Sequence, residues 1–431
     1  MLSSAAYPLS RSVAAPAVKR GGLLAYVRAG SLSIFFFTLV LQYWNISDWD
    51  ALQEQMHEGT GIKKDFIAGF IVLLAAHLTL GLSAWITAPF KLTTTWSGRL
   101  FTAFCVMTFV LSPLSLVFKT TAIYALGTWG VYLLLFLYWQ SNYRVVQRML
   151  VVAGCVVLAW LFLLVAKNGL SLGLAIGGLN RNTTAGAALA GMICCMTSPK
   201  ISVRWAAIAA GIFMAVAVNS RGTMVATAVF FVVYYTCYKG TWRAAFHVGV
   251  AAVLGGAIMF AVPALNKLLF ERILMLHDSA RGIDSGFSGR VDAWKQAFAS
   301  FWDNPVFGVG FRATTHHAHG EFGAVHSGYL KILVETGFVG AFFVIGAVVI
   351  EAIRRFRLAL RFRNLSQQAA PTIDIANTTR INAVACGTIV MMLAFWVYEQ
   401  LYINIGSAIS IVFFLMMVAP TYITKQGETV R

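Results

Sequence analysis

Apolar residues fall in runs near the ~20 residues that cross a bilayer core. The runs lie at roughly 29–45, 65–87, 98–118, 120–139, 149–167, 183–198, 204–219, 222–238, 244–263, 327–350, 381–400 and 402–422, and predict twelve membrane-spanning helices. Some junctions are tight: Lys119 alone separates the third run from the fourth. Between the ninth and tenth runs the pattern changes. Residues 264–326 are polar and rich in Gly, His and Arg. Within them, Gly289 to Phe298 carries the spacing of an amphipathic helical turn or two. A long loop beside a compact bundle is usually functional or disordered, and the aromatics here argue for order. The expected fold class is all-α: a polytopic membrane helix bundle of about twelve transmembrane helices with one long external loop containing short helices. It divides into residues 1–263 with nine spans, the loop 264–326, and residues 327–431 with three spans and a basic loop.

Composition agrees. Hydrophobic residues make up 59% of the chain and charged ones 11%, with mean hydropathy +0.74. Soluble domains carry roughly 25% charged residues, so most of this chain has no water to face. The net charge is +17, from 33 Lys and Arg against 16 Asp and Glu. In a soluble protein that excess would suggest nucleic acid. Here it fits basic cytoplasmic loops, and no nucleic-acid partner is expected. With the N-terminus inside, 20 of the 33 basic residues fall on the inner side, among them Arg28, Lys91, Arg99, Lys200, Arg204, Lys239 and the cluster Arg354, Arg355, Arg357, Arg361 and Arg363. Only Glu351, Asp374 and Glu428 join them. Both termini are therefore predicted inside, and residues 264–326 outside. The first run follows Arg11, Lys19, Arg20 and Arg28 with no small-residue cleavage site, so it reads as an uncleaved span. The six cysteines lie in apolar runs, and no disulfide framework is expected.

Three arginines lie on the side that the positive-inside rule disfavours. They are Arg181 after Asn180, Arg221 in Ser220-Arg221-Gly222, and Arg290 in Ser288-Gly289-Arg290. A planar guanidinium suits the paired oxygens of a phosphate or carboxylate. Interfacial snorkelling or a structural ion pair is the plainer alternative. His326 opens the tenth run, where an imidazole of ordinary pKa can take a proton at working pH. A histidine without chemistry is the alternative there. His316, His317, His319 and His326 do not show a ligand spacing, so no metal is assigned to them. Glu399, near the outer end of the eleventh run, is an ionisable group at membrane depth and so a candidate by default. Arg312 and Tyr329 complete the candidates.

The stretch Ser288-Gly289-Arg290, Trp294, Asp303-Asn304-Pro305-Val306-Phe307-Gly308-Val309-Gly310, His326-Ser327-Gly328-Tyr329-Leu330 and Glu335-Thr336-Gly337-Phe338-Val339-Gly340 resembles the signature region of the O-antigen ligase/polymerase superfamily. Asn219-Ser220-Arg221-Gly222 is similar to that family's Ser-Arg-Gly element. Many members have Asn after the histidine, where this chain has Ser327. The resemblance implies a GT-C-like glycosyltransferase of the bacterial inner membrane with its active site on the periplasmic side. Such a ligase would pass O-antigen glycan from undecaprenyl pyrophosphate to a sugar hydroxyl of lipid A-core, completing lipopolysaccharide. By matching position, His326 would be the catalytic base, and Arg181, Arg221 and Arg290 would hold the pyrophosphate. Direct displacement would invert the anomeric centre, with no cofactor and no metal. Asp48 and Asp50 resemble the metal-binding carboxylates of some polyprenyl-dependent glycosyltransferases, but Trp49 between them fits an interfacial anchor.

Three other readings remain at this point. An O-antigen polymerase would use a glycan repeat as acceptor, and a protein O-oligosaccharyltransferase a protein hydroxyl. A lipid-linked glycan transporter would show charged or broken helices at mid-membrane, of which the sequence offers few.

Overall fold

The computed structural model describes residues 22–41, 64–140, 142–168, 181–218, 220–241, 290–314, 325, 327–365, 373–399, 403, 405–424 and 429–430, with isolated helical positions at 243, 245, 246 and 249. Apart from those isolated positions the expected span at 244–263, and all of 264–289, His316, His317, His319, His326, Asp48 and Asp50, lie outside the described residues. Those described form thirteen α-helices: α1 (Leu23–Leu41), α2 (Lys64–Leu78), α3 (Leu82–Leu92), α4 (Trp96–Val110), α5 (Phe118–Tyr138), α6 (Tyr143–Asn168), α7 (Arg181–Met196), α8 (Ile201–Ala217), α9 (Arg221–Lys239), α10 (Arg290–Asp303), α11 (Gly328–Asn364), α12 (Ile375–Phe395) and α13 (Ala408–Met417). A 3-10 turn spans Ser112–Leu114, and the strands β1 (Tyr422–Ile423) and β2 (Thr429–Val430) pair antiparallel.

Five helices are long and apolar enough to cross a membrane, or six if a bent pair counts as one span; α4, α8, α13 and most of α7 are shorter apolar helices. The chain is a multi-pass membrane protein, nearly all helical. α12 lies at the centre, packed on α9, α11 and α13, and is the most enclosed of the spans. Between helices in lipid, close packing replaces hydrophobic exclusion as the attraction, and small residues permit it. α6 and α7 meet at Gly154, where an added Cβ would lie 2.5 Å from the carbonyl oxygen of Gly191.

Four expectations are corrected. The apolar run 65–87 is two helices, α2 and α3, bent by 109°. Gly81 turns the chain at φ 81°, a left-handed conformation that summed hydropathy does not register. Arg28 fills the gap: its guanidinium donates to Thr79 O at 2.6 Å and to Thr79 Oγ1 at 2.8 Å. Lys119 is no junction but lies inside α5. The turn runs through 111–117, where Pro113 starts the 3-10 segment. The tenth span does not stop near 350 but continues as α11 to Asn364, broken only at Gly337. The last run does not stay helical to 422: α13 ends at Met417, and Tyr422 enters β1.

The basic stretch of α11 also has a second role. Arg355 and Glu351 are wholly buried, and Arg355 Nε donates to Glu351 Oε1 at 2.7 Å. Arg354 Nη2 meets the same oxygen at 2.6 Å, and Ser97 Oγ donates to Oε2 at 2.5 Å. The other end of Arg355 donates to Asn382 Oδ1 at 3.0 Å, to Pro420 O at 2.8 Å and to Ala419 O. One carboxylate thus joins α4, α11, α12 and the tail after α13. Removing one partner of a buried pair commonly costs about 3–5 kcal/mol, because the other charge stays buried. Glu351→Ala is expected to lower thermal unfolding in detergent by that order. A variant as stable as the parent would show the network to be idle.

Candidate active site

Ser220 caps α9, its side chain accepting from Thr223 N at 3.4 Å. That cap makes Arg221 the first residue of the helix. The next position admits only glycine: a Cβ on Gly222 would lie 2.5 Å from the ring of Tyr398. Tyr398 Oη in turn donates to Gly222 O at 2.6 Å. The turn after α12 therefore clamps the start of α9, and a bulkier residue would push Arg221 off that turn. Gly222→Val is expected to abolish activity while the rest of the bundle folds. Thermal unfolding together with transfer activity checks this, and an active Gly222→Val would refute the clamp.

The same turn holds the start of α11. Gly328 N donates to Trp396 O at 2.7 Å, and a Cβ on Gly328 would come within 2.9 Å of Trp396 Cβ. Ser327 caps α11, accepting from Leu330 N at 3.5 Å. Serine and asparagine are both good N-caps, so the family departure at this position keeps the helix start. Tyr329 packs edge-on against Trp396 and donates its hydroxyl to Leu393 O at 2.8 Å. Its hydroxyl is thus committed to α12. Glu399 lies in the same turn, 5% exposed.

α10 reaches the same place. Trp294 Nε1 donates to Val325 O at 2.9 Å, beside position 326. Arg290 is the first residue of α10, one helical turn before Trp294. The amphipathic turns expected over 289–298 lie in a 14-residue helix that starts at Arg290 and runs on to Asp303. Its Ala297 and Phe301 pack with Val309, Ala313, Val325 and Val334 in a small separate core. Arg181 opens α7. The links α7–α8 and α8–α9 are short, so α7 and α9 run the same way and begin at the same end. The candidates at the starts of α7, α9, α10 and α11 thus belong to one end of the bundle.

Arg312 points elsewhere. Its guanidinium lies 4.7 Å from the ring centre of Tyr124 on α5, and its φ of 68° is an uncommon left-handed conformation for arginine. The Asp303–Gly310 segment that precedes it is seated on α11 by backbone hydrogen bonds, with the Val309 side chain packed beside Val334. Val309 N donates to Val334 O at 2.9 Å and Gly310 N to Glu335 O at 3.0 Å. Phe338 N donates to Pro305 O at 2.8 Å and Val339 N to Val306 O at 3.2 Å. The break at Gly337, φ 63°, frees these backbone groups of α11. A Cβ on Gly337 would collide with the Val306 carbonyl, and one on Gly308 would lie 2.5 Å from Thr336 N. Glu335 is itself buried. Its Oε1 accepts from the Thr314 hydroxyl and lies 3.8 Å from Lys331 Nζ. A cleft of about 360 Å³ opens beside this joint, lined by Thr108, Ser115, Thr121, Asp303 and Glu335 among others.

Sequence reading missed the Tyr398 and Trp396 contacts, although the aromatic pair beside Glu399 and the glycines at 222 and 328 were their signal. Among the described residues no three His, Cys, Asp or Glu side chains come together as a metal group. No curated protein matches the chain. Residues 206–345, which hold α9, α10, the docked loop and the start of α11, match the model of the O-antigen ligase family. Over that stretch the chain carries an O-antigen ligase domain, which supports a place in the O-antigen ligase/polymerase superfamily.

Proposed function

We propose that this protein transfers O-antigen glycan from undecaprenyl pyrophosphate to a sugar hydroxyl of lipid A-core at the periplasmic face of the inner membrane. The observation that supports this reading most is that one turn, Trp396–Glu399, holds both Arg221 and the backbone that flanks His326. The acceptor oxygen attacks the anomeric carbon and its proton passes to His326. The bond from that carbon to the pyrophosphate oxygen breaks, and undecaprenyl pyrophosphate leaves with the electron pair. Charge grows on the phosphate oxygens, where fixed arginines act most strongly. Arg181, Arg221 and Arg290 take this role, aided by the helix N-termini they occupy. The face of the sugar that is attacked lies opposite the leaving group, so the centre inverts.

The test is reconstitution with a lipid-linked glycan and three acceptors: lipid A-core, a second lipid-linked repeat, and a protein. Extension of lipid A-core, undiminished by EDTA, is the expected result. Extension of the lipid-linked repeat instead makes the protein a polymerase, and extension of the protein acceptor an oligosaccharyltransferase. Glycan crossing the vesicle without transfer makes it a transporter. Loss of transfer both with EDTA and in Asp48→Ala would replace the arginine reading with a metal-dependent one. Labelling of a cysteine at 290 from the cytoplasm alone would remove the periplasmic site.

A further inference from the structure

At the end of the bundle opposite Arg221 stand two buried cations with no carboxylate bonded to either among the described residues. α9 has 19 residues and so spans about 28 Å, close to the thickness of a bilayer core. Around its far end stand Arg204 of α8 and Arg380 of α12, 9% and 6% exposed. Arg204 donates to Ser198 O at a long 3.4 Å and lies 5.6 Å from the ring centre of Tyr238. Arg380 donates to Asn377 Oδ1 at 2.7 Å and approaches the hydroxyl of the same tyrosine. Its Nε–H has no hydrogen-bond partner among the described residues.

The expected counter-charges are otherwise engaged. Asp374 caps α12 and binds Asn377 through both oxygens, at 3.0 and 2.6 Å. Glu351 is held by Arg354 and Arg355. The Thr236 carbonyl near the end of α9 already accepts from Gly240 N and from Arg363 Nη1. Lys200 and Lys239 stand exposed at the same end and add positive charge. Each guanidinium has five donors in a fixed fork that matches a phosphate. Two such groups buried without an anion are costly, and a bound anion would relieve that cost.

We propose that Arg204, Arg380 and Tyr238 form a site for the phosphate of an anionic phospholipid head group at the end of the bundle opposite Arg221. A lipid is the favoured source because the cluster lies between the ends of α8, α9 and α12, of which α12 is long and apolar enough to cross a membrane and α8 is a shorter apolar helix. Basic pockets between transmembrane helices are the usual setting for such binding. The proposal does not depend on the transferase reading.

Native mass spectrometry of the delipidated protein tests it, with dioleoyl phosphatidylglycerol, dioleoyl phosphatidylcholine and inorganic phosphate as probes. The parent should keep phosphatidylglycerol at collision energies that strip phosphatidylcholine. Arg204→Gln and Arg380→Gln should each weaken that retention about tenfold or more, as loss of a charged hydrogen bond does. Exposed Arg361→Gln should leave it unchanged. Thermal unfolding of the parent with each probe keeps the test open if the variants fail to fold, since phosphatidylglycerol should stabilise and phosphatidylcholine should not. Equal retention of the two lipids by the parent overturns the proposal. Stabilisation by inorganic phosphate without any by phosphatidylglycerol also overturns it, by making the anion a soluble one.

Discussion

His326→Ala is expected to silence glycan transfer while the protein still folds and still holds the lipid-linked donor. General-base help is commonly worth roughly 10²–10⁴-fold. The residue lies between Val325, whose carbonyl takes the Trp294 indole, and Ser327, which caps α11. The anchors on both sides are backbone or cap contacts that do not need the imidazole, so the fold should survive its loss. Donor binding should survive too, because the proposed pyrophosphate ligands are the arginines and not the imidazole. In the parent, the rate should fall below about pH 6.5, the reference value at which an imidazole protonates and can no longer accept. His316, His317 and His319 are the controls, and their alanine variants should stay active. Two measurements decide the matter, donor retention and transfer, made on the same His326→Ala preparation. Full transfer removes the base. Lost retention turns His326 into a phosphate ligand.

Arg221→Ala and Arg290→Ala should show the opposite pattern, losing donor retention along with transfer. Removing one preorganised donor to a developing negative charge commonly costs about 10²–10³-fold in rate. Arg221→Lys should recover little of it, since lysine restores the charge but not the bidentate fork. The clamp by Tyr398 on Gly222 fixes the backbone of Arg221, so the variant tests the side chain and not a displaced helix. Arg181→Ala should behave alike. Full activity in Arg221→Lys would show that a point charge is enough.

Much of this was legible from the sequence, for physical reasons that also mark the limit. Hydropathy located the apolar helices because each sums over a window. For the same reason it ran through the 109° bend at Gly81 and ended α11 at its first arginines. Counting arginines by side treated Arg355 as a topological signal. The structure has it buried against Glu351, a partner only one turn away. Ser220 and Ser327 were seen as motif letters, and their capping role needs only local geometry. The contacts of Tyr398 with Gly222 and of Trp396 with Gly328 join residues 176 and 68 positions apart, and no local pattern encodes such a meeting. The motif Glu335-Thr336-Gly337 was read only as part of a family signature, and its described contacts are those of a joint.

That joint has a consequence for how the protein can vary. Four main-chain hydrogen bonds seat the Asp303–Gly310 segment on α11, and none of them reads a side chain. Val306 and Phe307 project their side chains outward, 52% and 49% exposed. Their identity can therefore drift with the surroundings, while Gly308, Gly310 and Gly337 keep the segment in register. The segment is attached like an interchangeable fitting: what it presents is free to change, and how it is mounted is not.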